Sequence, residues 1–247
     1  MYTPLGQFEI YIIWNLNVLN YLKLYLNNLN VVIFCLLGFF IFTIYLLIDE
    51  LKIIPNKIQY VLENVYLFVY LLVYHQVGKK GLRFFPILMT IFIFIILLNI
   101  IGLLPYSFAV TSHFIWSLYL SLSMGLGIFL VGLYNYKIEY LKIFLLDIPI
   151  LLYPLMTVIE LTSYIIRAFS LAIRLSANIM AGHILVDIIA EVIVYLNYYF
   201  IDLSFIVLII LMALFFLEIG VALLQAYVFV LLITIYLNDA VNYKLHV

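Results

Sequence analysis

Residues 160–183, ELTSYIIRAFSLAIRLSANIMAGH, hold the groups of this chain best suited to chemistry. One carboxylate, two guanidinium groups, an amide and an imidazole lie within otherwise apolar sequence. Ionisable groups at membrane depth are costly, and by default they mark an ion or proton path. On a helix turning about 100° per residue, Glu160, Ser163, Arg167, Ser170, Arg174, Asn178 and Ala181 fall within about 40° of one line. His183 lies about half a turn away from that line and about 13 Å along the axis from Arg174. Such a helix offers a polar, small-residue stripe to one neighbour and a titratable group to another. The alternative is a polar seam joining two membrane helices. Arginine suits that poorly, because it cannot shed its charge.

Further titratable groups extend the pattern. His183, Asp187 and Glu191 are spaced i, i+4, i+8 along one helical face. Glu218 and Gln225, seven residues apart in the next apolar stretch, share a face to within about 20°. These groups suggest an outer aqueous passage through His183 and Glu218, with Asp187 and Glu191 at its mouth. Solvated helix-end carboxylates are the alternative for Asp187 and Glu191. Glu160, about 21 Å before Arg174, would line an inner passage. No CxxC pair, metal-spaced His/Cys set, phosphate-binding glycine loop or nucleophile beside a base is visible, so neither a cofactor, a metal nor a catalytic centre for ATP is expected. The four histidines form no haem-ligating pair within a span.

The positioning elements must be membrane helices. Of 247 residues, 69% are hydrophobic and 9% charged, and the mean hydropathy is +1.29, which implies an all-α integral membrane protein. A net charge of −1 argues against nucleic-acid binding. Cys35 stands alone in an apolar run and is read as an inert packing residue. The N-terminus shows neither a signal-peptide nor a transit-peptide pattern, so synthesis close to the membrane is expected, in an organelle or a bacterium.

Residues 1–30 read as a short interfacial helix or a loosely held arm. A first span is expected at 31–48 and an amphipathic surface helix at 58–77, with His75 solvated. Spans at 84–104 and 114–134 form a helical hairpin, the latter with Ser121, Ser123, Gly125 and Gly127 for close packing. Asn99 is expected to hydrogen-bond between helices, the alternative being the lining of a water path; His113 is a headgroup anchor or a proton-entry residue. Residues 143–196 and 203–237 exceed the about 20 residues a crossing needs. They imply a long, strongly tilted antiparallel hairpin joined by a short polar loop at 195–202. With five crossings in one membrane domain, Lys52, Lys57, Lys79, Lys80, Arg83, Lys137, Lys142 and Lys244 share one side and Lys23 lies on the other. The positive-inside rule then turns the N-terminus outward.

Several ordered segments carry a family resemblance: HQVGKKGLRFFP (75–86), LLNIIGLLPYSFAVTSH (97–113), AIRLSANIMAGHIL (172–185) and EIGVALLQAYVFVLLITIYLND (218–239). Over roughly 75–242 the chain resembles subunit a of F-type ATP synthases, the stator protein beside the rotating c-ring. The resemblance implies a non-catalytic, proton-translocating subunit with two offset half-channels. It makes Arg174 the arginine between them, Asn178 the amide one turn on, and His183 and Glu218 the paired titratable positions. Gln225 corresponds to the family's glutamine and Glu160 to its inner-channel acid. Arg167 is not charged throughout the family; it assists Arg174 or binds a carbonyl or Glu160. The His/Glu order is of the mitochondrial type, implying the inner mitochondrial membrane with the C-terminus on the matrix side, a bacterial plasma membrane being the alternative. Implied partners are a c-ring with an essential carboxylate, peripheral-stalk and other membrane-sector subunits, lipids and protons. Two other classes stay open on the residues alone: a proton-coupled secondary transporter or antiporter subunit, although no internal repeat is evident, and a membrane assembly protein.

Overall fold

Apolar runs long enough to span a bilayer, punctuated by few prolines and glycines, form long helices here. The structure, a computed structural model, describes residues 8–17, 23–28, 30, 32–34, 38, 56–104, 107–137, 140, 153–199 and 201–242. Helix α1 covers Lys57–Val77, α2 Phe85–Gly102, α3 Phe114–Tyr136, α4 Tyr153–Tyr199 and α5 Ile201–Val241. Short 3₁₀ turns occupy Lys79–Phe84 and Val110–Ser112. Among the described residues four helices are long and apolar enough to cross a membrane: Lys79–Gly102, Phe114–Tyr136, Leu155–Tyr198 and Ser204–Val241. The fifth expected crossing, 31–48, and Cys35 lie outside the described residues, apart from isolated helical positions at 32–34 and 38.

Local chemistry sets the helix ends. Helix α1 stops at Gly78, whose φ of 76° is left-handed and whose N–H donates to the Tyr74 carbonyl at 3.0 Å. That is the helix-ending bond glycine makes at least cost. Pro86 and Pro154 occupy the second positions of α2 and α4, where no intrahelical N–H is needed. Beyond Pro154, α4 contains no proline and only Gly182 as a weak point. It runs 47 residues as a result.

Two expectations are corrected. The polar loop at 195–202 is not a loop: α4 continues to Tyr199 and α5 resumes at Ile201. The stretch YLNYYFID has no glycine or proline to end a helix, and polarity alone does not unwind one. Among the described residues of the N-terminal segment, strands stand where an interfacial helix was one expectation. Strand β1 (Ile12–Asn17) pairs antiparallel with β2 (Lys23–Asn27), with Asn17 opposite Lys23 and an irregularity between Ile12 and Trp14. In β2 the order Lys-Leu-Tyr-Leu-Asn alternates apolar and polar residues, the period of a strand.

The described chain divides into two compact units, one of Met1–Val61, Ile95–His113 and Ser176–Leu224, the other of Leu62–Phe94, Phe114–Leu175 and Gln225–Val247. In the first, Leu103, Ala109, Ile179 and Ala222 make a buried cluster, with Phe8 and Ile219 against it. In the second, Val69, Val73, Phe92, Leu171, Ala172, Phe229, Val230 and Ile233 are buried. Helix packing in lipid relies on small residues and interhelical hydrogen bonds. Of the expected small-residue positions, Ser121 is buried and Gly125 half-buried, while Ser123 and Gly127 are exposed. The Tyr136 hydroxyl donates to the Val241 carbonyl at 2.6 Å, and the Asn242 amide donates to the Val77 carbonyl at 2.9 Å. These bonds fasten the end of α5 within the second unit.

Candidate functional site

In the first unit, α4 and α5 run antiparallel. Gly182 lies against Glu218 so closely that a Cβ there would strike the carboxyl. Gly182 is thus the gap into which Glu218 fits, and the next residue is His183. The His183 ring hydrogen-bonds to the backbone of Gly102, at the end of α2. Its Nε2 is buried without a partner, which leaves Nδ1 as the donor to that carbonyl. Phe8 covers the ring edge-on, with centroids 6.1 Å apart. Asp187, half-buried one turn on, lies within electrostatic reach of both His183 and Glu218. It is the charged group the two share. Glu191 is exposed on the same face, and Asn178 is exposed one turn before Gly182.

Two buried atoms, His183 Nε2 and Glu218 Oε1, have no hydrogen-bond partner among the described residues. An unsatisfied buried polar atom costs about 1–3 kcal/mol, so such atoms call for a reason beyond packing. Asn99, 0% exposed, donates through Nδ2 to the Ala222 carbonyl at 3.2 Å. The expected interhelical hydrogen bond is therefore present. His113 follows the turn after α2 and packs against Phe108, with ring centroids 5.1 Å apart. Its Nε2 is buried with no hydrogen-bond partner among the described residues, and burial lowers its pKa below the ordinary imidazole value.

In the second unit, the outward face of α4 is charged. Arg167, Ser170 and Arg174 are exposed, whereas Leu171, Ala172 and Leu175 on the opposite side are buried. Glu160 and Ser163 are half-buried at the start of the stripe. Arg167 lies over the Tyr236 ring, 5.8 Å from its centroid, a cation–π contact. Tyr236 also senses the charge of Arg174. Tyr164 completes the support: its hydroxyl donates to the Gly125 carbonyl at 2.9 Å, and its ring lies 6.4 Å from that of Tyr236. Gln225 is 4% exposed. Outside the membrane helices, the buried Tyr140 phenol is pushed up to about 12, first by desolvation. A Cβ at Gly132 would strike its ring.

The family model described as ATP synthase A chain matches residues 29–238. The chain belongs to this family. The match begins well before the segments in which the resemblance is legible by eye. Similar proteins include the ATP synthase subunit a of Acanthamoeba castellanii, 37% identical over 244 residues and 98% of each chain. That of Brassica napus is 41% identical over 252 residues, covering 97% of this chain and 96% of its own. That of Wolbachia pipientis wMel is 39% identical over 243 residues, covering 97% and 99%. Family membership decides among the three classes that the residues alone leave open.

Sequence reasoning missed several members of the two sites. Tyr164 and Tyr236 are two among 22 tyrosines and carry no distinguishing spacing. Gly182 had a signal, being the only glycine in α4 and adjacent to a titratable group. The Gly102 carbonyl had none, since every residue supplies one.

Proposed function

We propose that the chain is the proton-translocating stator of the ATP synthase membrane sector. The observation that carries this reading is the exposed stripe of Arg167, Ser170 and Arg174, continued by the exposed Asn178 and Ala181, on an otherwise apolar helix of membrane-spanning length. Permanent cations cannot be left facing lipid. A partner must meet them, and it must bring negative charge. A c-ring carboxylate fits, and the small residues Ser170, Ala177 and Ala181 leave room for a helix to approach.

On this reading His183 and Glu218, with Asp187 nearby, pass protons in an outer half-channel whose mouth holds Glu191. Glu160 lines the inner half-channel, and Gln225 and Asn178 contribute polar lining. Arg174 stands between the two. A permanent cation favours an ionised carboxylate beside it and opposes proton passage, so the half-channels stay separate. Arg167, docked on Tyr236, adds to the field and holds the helix face. Each charge crossing the membrane potential gains about 2.3 kcal/mol per 100 mV. Peripheral-stalk and other membrane-sector subunits would hold the chain against rotation. The lysine asymmetry favours an outward N-terminus and a matrix-side C-terminus, and the plant and amoeba relatives favour the mitochondrial inner membrane.

The test is substitution of Arg174 in the assembled complex. Lysine is not equivalent, because unlike arginine it can give up a proton itself. Arg174→Lys and Arg174→Gln should both abolish coupled ATP synthesis, and Arg174→Gln should make the membrane leakier to protons. Normal proton-driven synthesis in assembled Arg174→Gln complexes would refute the reading.

A further inference from the structure

The last turn of α2 touches both helices that carry the outer titratable groups, and it does so by hydrogen bonds. The Asn99 amide donates to the Ala222 carbonyl at 3.2 Å, one turn beyond Glu218 on α5. The Gly102 carbonyl, three residues further along α2, accepts from the His183 ring on α4. Around these bonds the packing is apolar and non-directional: Ala109 lies 3.4 Å from where a Gly102 Cβ would stand, and Leu103, Ile179 and Ala222 complete the buried cluster. Such surfaces let helices approach but resist sliding and rotation weakly, and no hydrophobic force between helices sets register in lipid. Directional bonds must set it.

We propose that the last turn of α2 is a clamp for the outer proton-transfer pair, with Asn99 the positioning residue that fixes Glu218 relative to His183. This rests on the reading that His183 and Glu218 pass protons. The Ala222 carbonyl has its own intrahelical donor four residues on, as in any α-helix. Satisfying that acceptor is therefore not what Asn99 is for. Asn99 even leaves its own Oδ1 buried with no partner among the described residues, a poor arrangement for stability alone. Placement of α5 is the gain. The Gly102 carbonyl acts in parallel: by accepting the Nδ1–H hydrogen bond it holds the His183 ring in one tautomer and leaves Nε2 bare.

The experiment uses the assembled complex in membrane vesicles. ATP-driven proton pumping is followed across pH for Asn99→Leu, Asn99→Asp and, as a reference, Glu218→Gln. Leucine matches asparagine in size and removes both the donor and the unsatisfied oxygen, so the complex should assemble and pump about tenfold more slowly, the worth of one amide hydrogen bond. Aspartic acid donates only while protonated. The titratable groups on the elements it faces are His183 and Asp187 on α4, Glu218 on α5 and His113 beyond α2. Asn99→Asp should therefore pump on the acid side and lose pumping as pH rises, a limb absent from Asn99→Leu. In the native complex, ¹⁵N spectra should show neutral His183 protonated at Nδ1. Wild-type rates and pH profiles in both Asn99 variants, with Glu218→Gln impaired, would overturn the clamp alone. Failure of both Asn99 variants to assemble would overturn it too, showing a purely structural role. Wild-type pumping in Glu218→Gln would instead overturn the pathway on which it rests.

Discussion

Gly182→Ala separates stability from function in this protein. A Cβ on Gly182 would lie 2.7 Å from Glu218 Cδ and 3.0 Å from its Cγ, and nearer still to Oε1. Carbon atoms in contact prefer about 3.5–4.0 Å, so the carboxyl must move by about 1 Å. The obstructing atoms are the far end of a flexible side chain, and turning it aside by about 30° from its rotamer costs about 1 kcal/mol. Replacing a mid-helix glycine by alanine returns about the same amount. Folding and assembly should thus be nearly unchanged. Function should not be: a 1 Å misplacement of a reacting group can cost about 100-fold. ATP-driven pumping in vesicles normalised to assembled complex should fall by one to two orders of magnitude, roughly, while the amount of intact complex on native gels stays at the wild-type level. Gly127→Ala is the control, because nothing lies within 4 Å of its added Cβ. Wild-type pumping in Gly182→Ala would show that the placement of Glu218 over Gly182 is not what proton transfer requires. Loss of the complex would show that the obstruction is not a movable side chain.

Arg167→Gln should reduce coupled ATP synthesis by less than Arg174→Gln does, since it loses the contact with Tyr236 but keeps the central charge; equal loss in both would show that the two arginines act as one. The apolar stretches of α4 and α5 hold 44 and 38 residues, about 66 and 57 Å at 1.5 Å per residue. To remain within a hydrocarbon layer about 30 Å thick, straight helices of that length must tilt about 60° from the membrane normal. Orientation measurements in oriented bilayers that put both within about 20° of the normal, the ordinary value, would refute this. His113 should make the 107–113 segment acid-sensitive. Its folded pKa is lowered by burial, so neutral His113 costs nothing above the unfolded value of about 6.5. Below that value protonation of the unfolded segment draws stability away, the loss continuing until pH passes the folded pKa. Hydrogen exchange of this segment should accelerate below about pH 6.5, and His113→Phe should abolish the acceleration. An unchanged acid response in that variant would place the sensitive group elsewhere.

Much of this protein was legible in its order of residues. Membrane helices announce themselves by apolar length, and the spans expected at 84–104, 114–134, 143–196 and 203–237 correspond to the four membrane-length helices, with ends moved by a few residues where described. The charged stripe through Arg167 and Arg174 follows from helical periodicity alone, because a helix of 47 residues without an internal proline keeps its phase. His183, Asp187, Glu191 and Glu218 were visible as isolated titratable groups in apolar surroundings. At 195–199 and 201–202 the absence of glycine and proline outweighs local polarity, and at 23–27 the alternation of side chains makes a strand.

Only the tertiary structure brings distant parts together. Asn99 meets Ala222 across 123 positions of sequence, and Phe8 reaches His183 across most of the chain. No periodicity encodes such meetings. They depend on which small residues let two backbones come close, as Gly182 does for Glu218 and Ala222 for Asn99. Backbone acceptors such as the Gly102 carbonyl have no letter of their own in a sequence. Side chains declare which groups are costly to bury in lipid; the packing of helices decides which of those groups share a site.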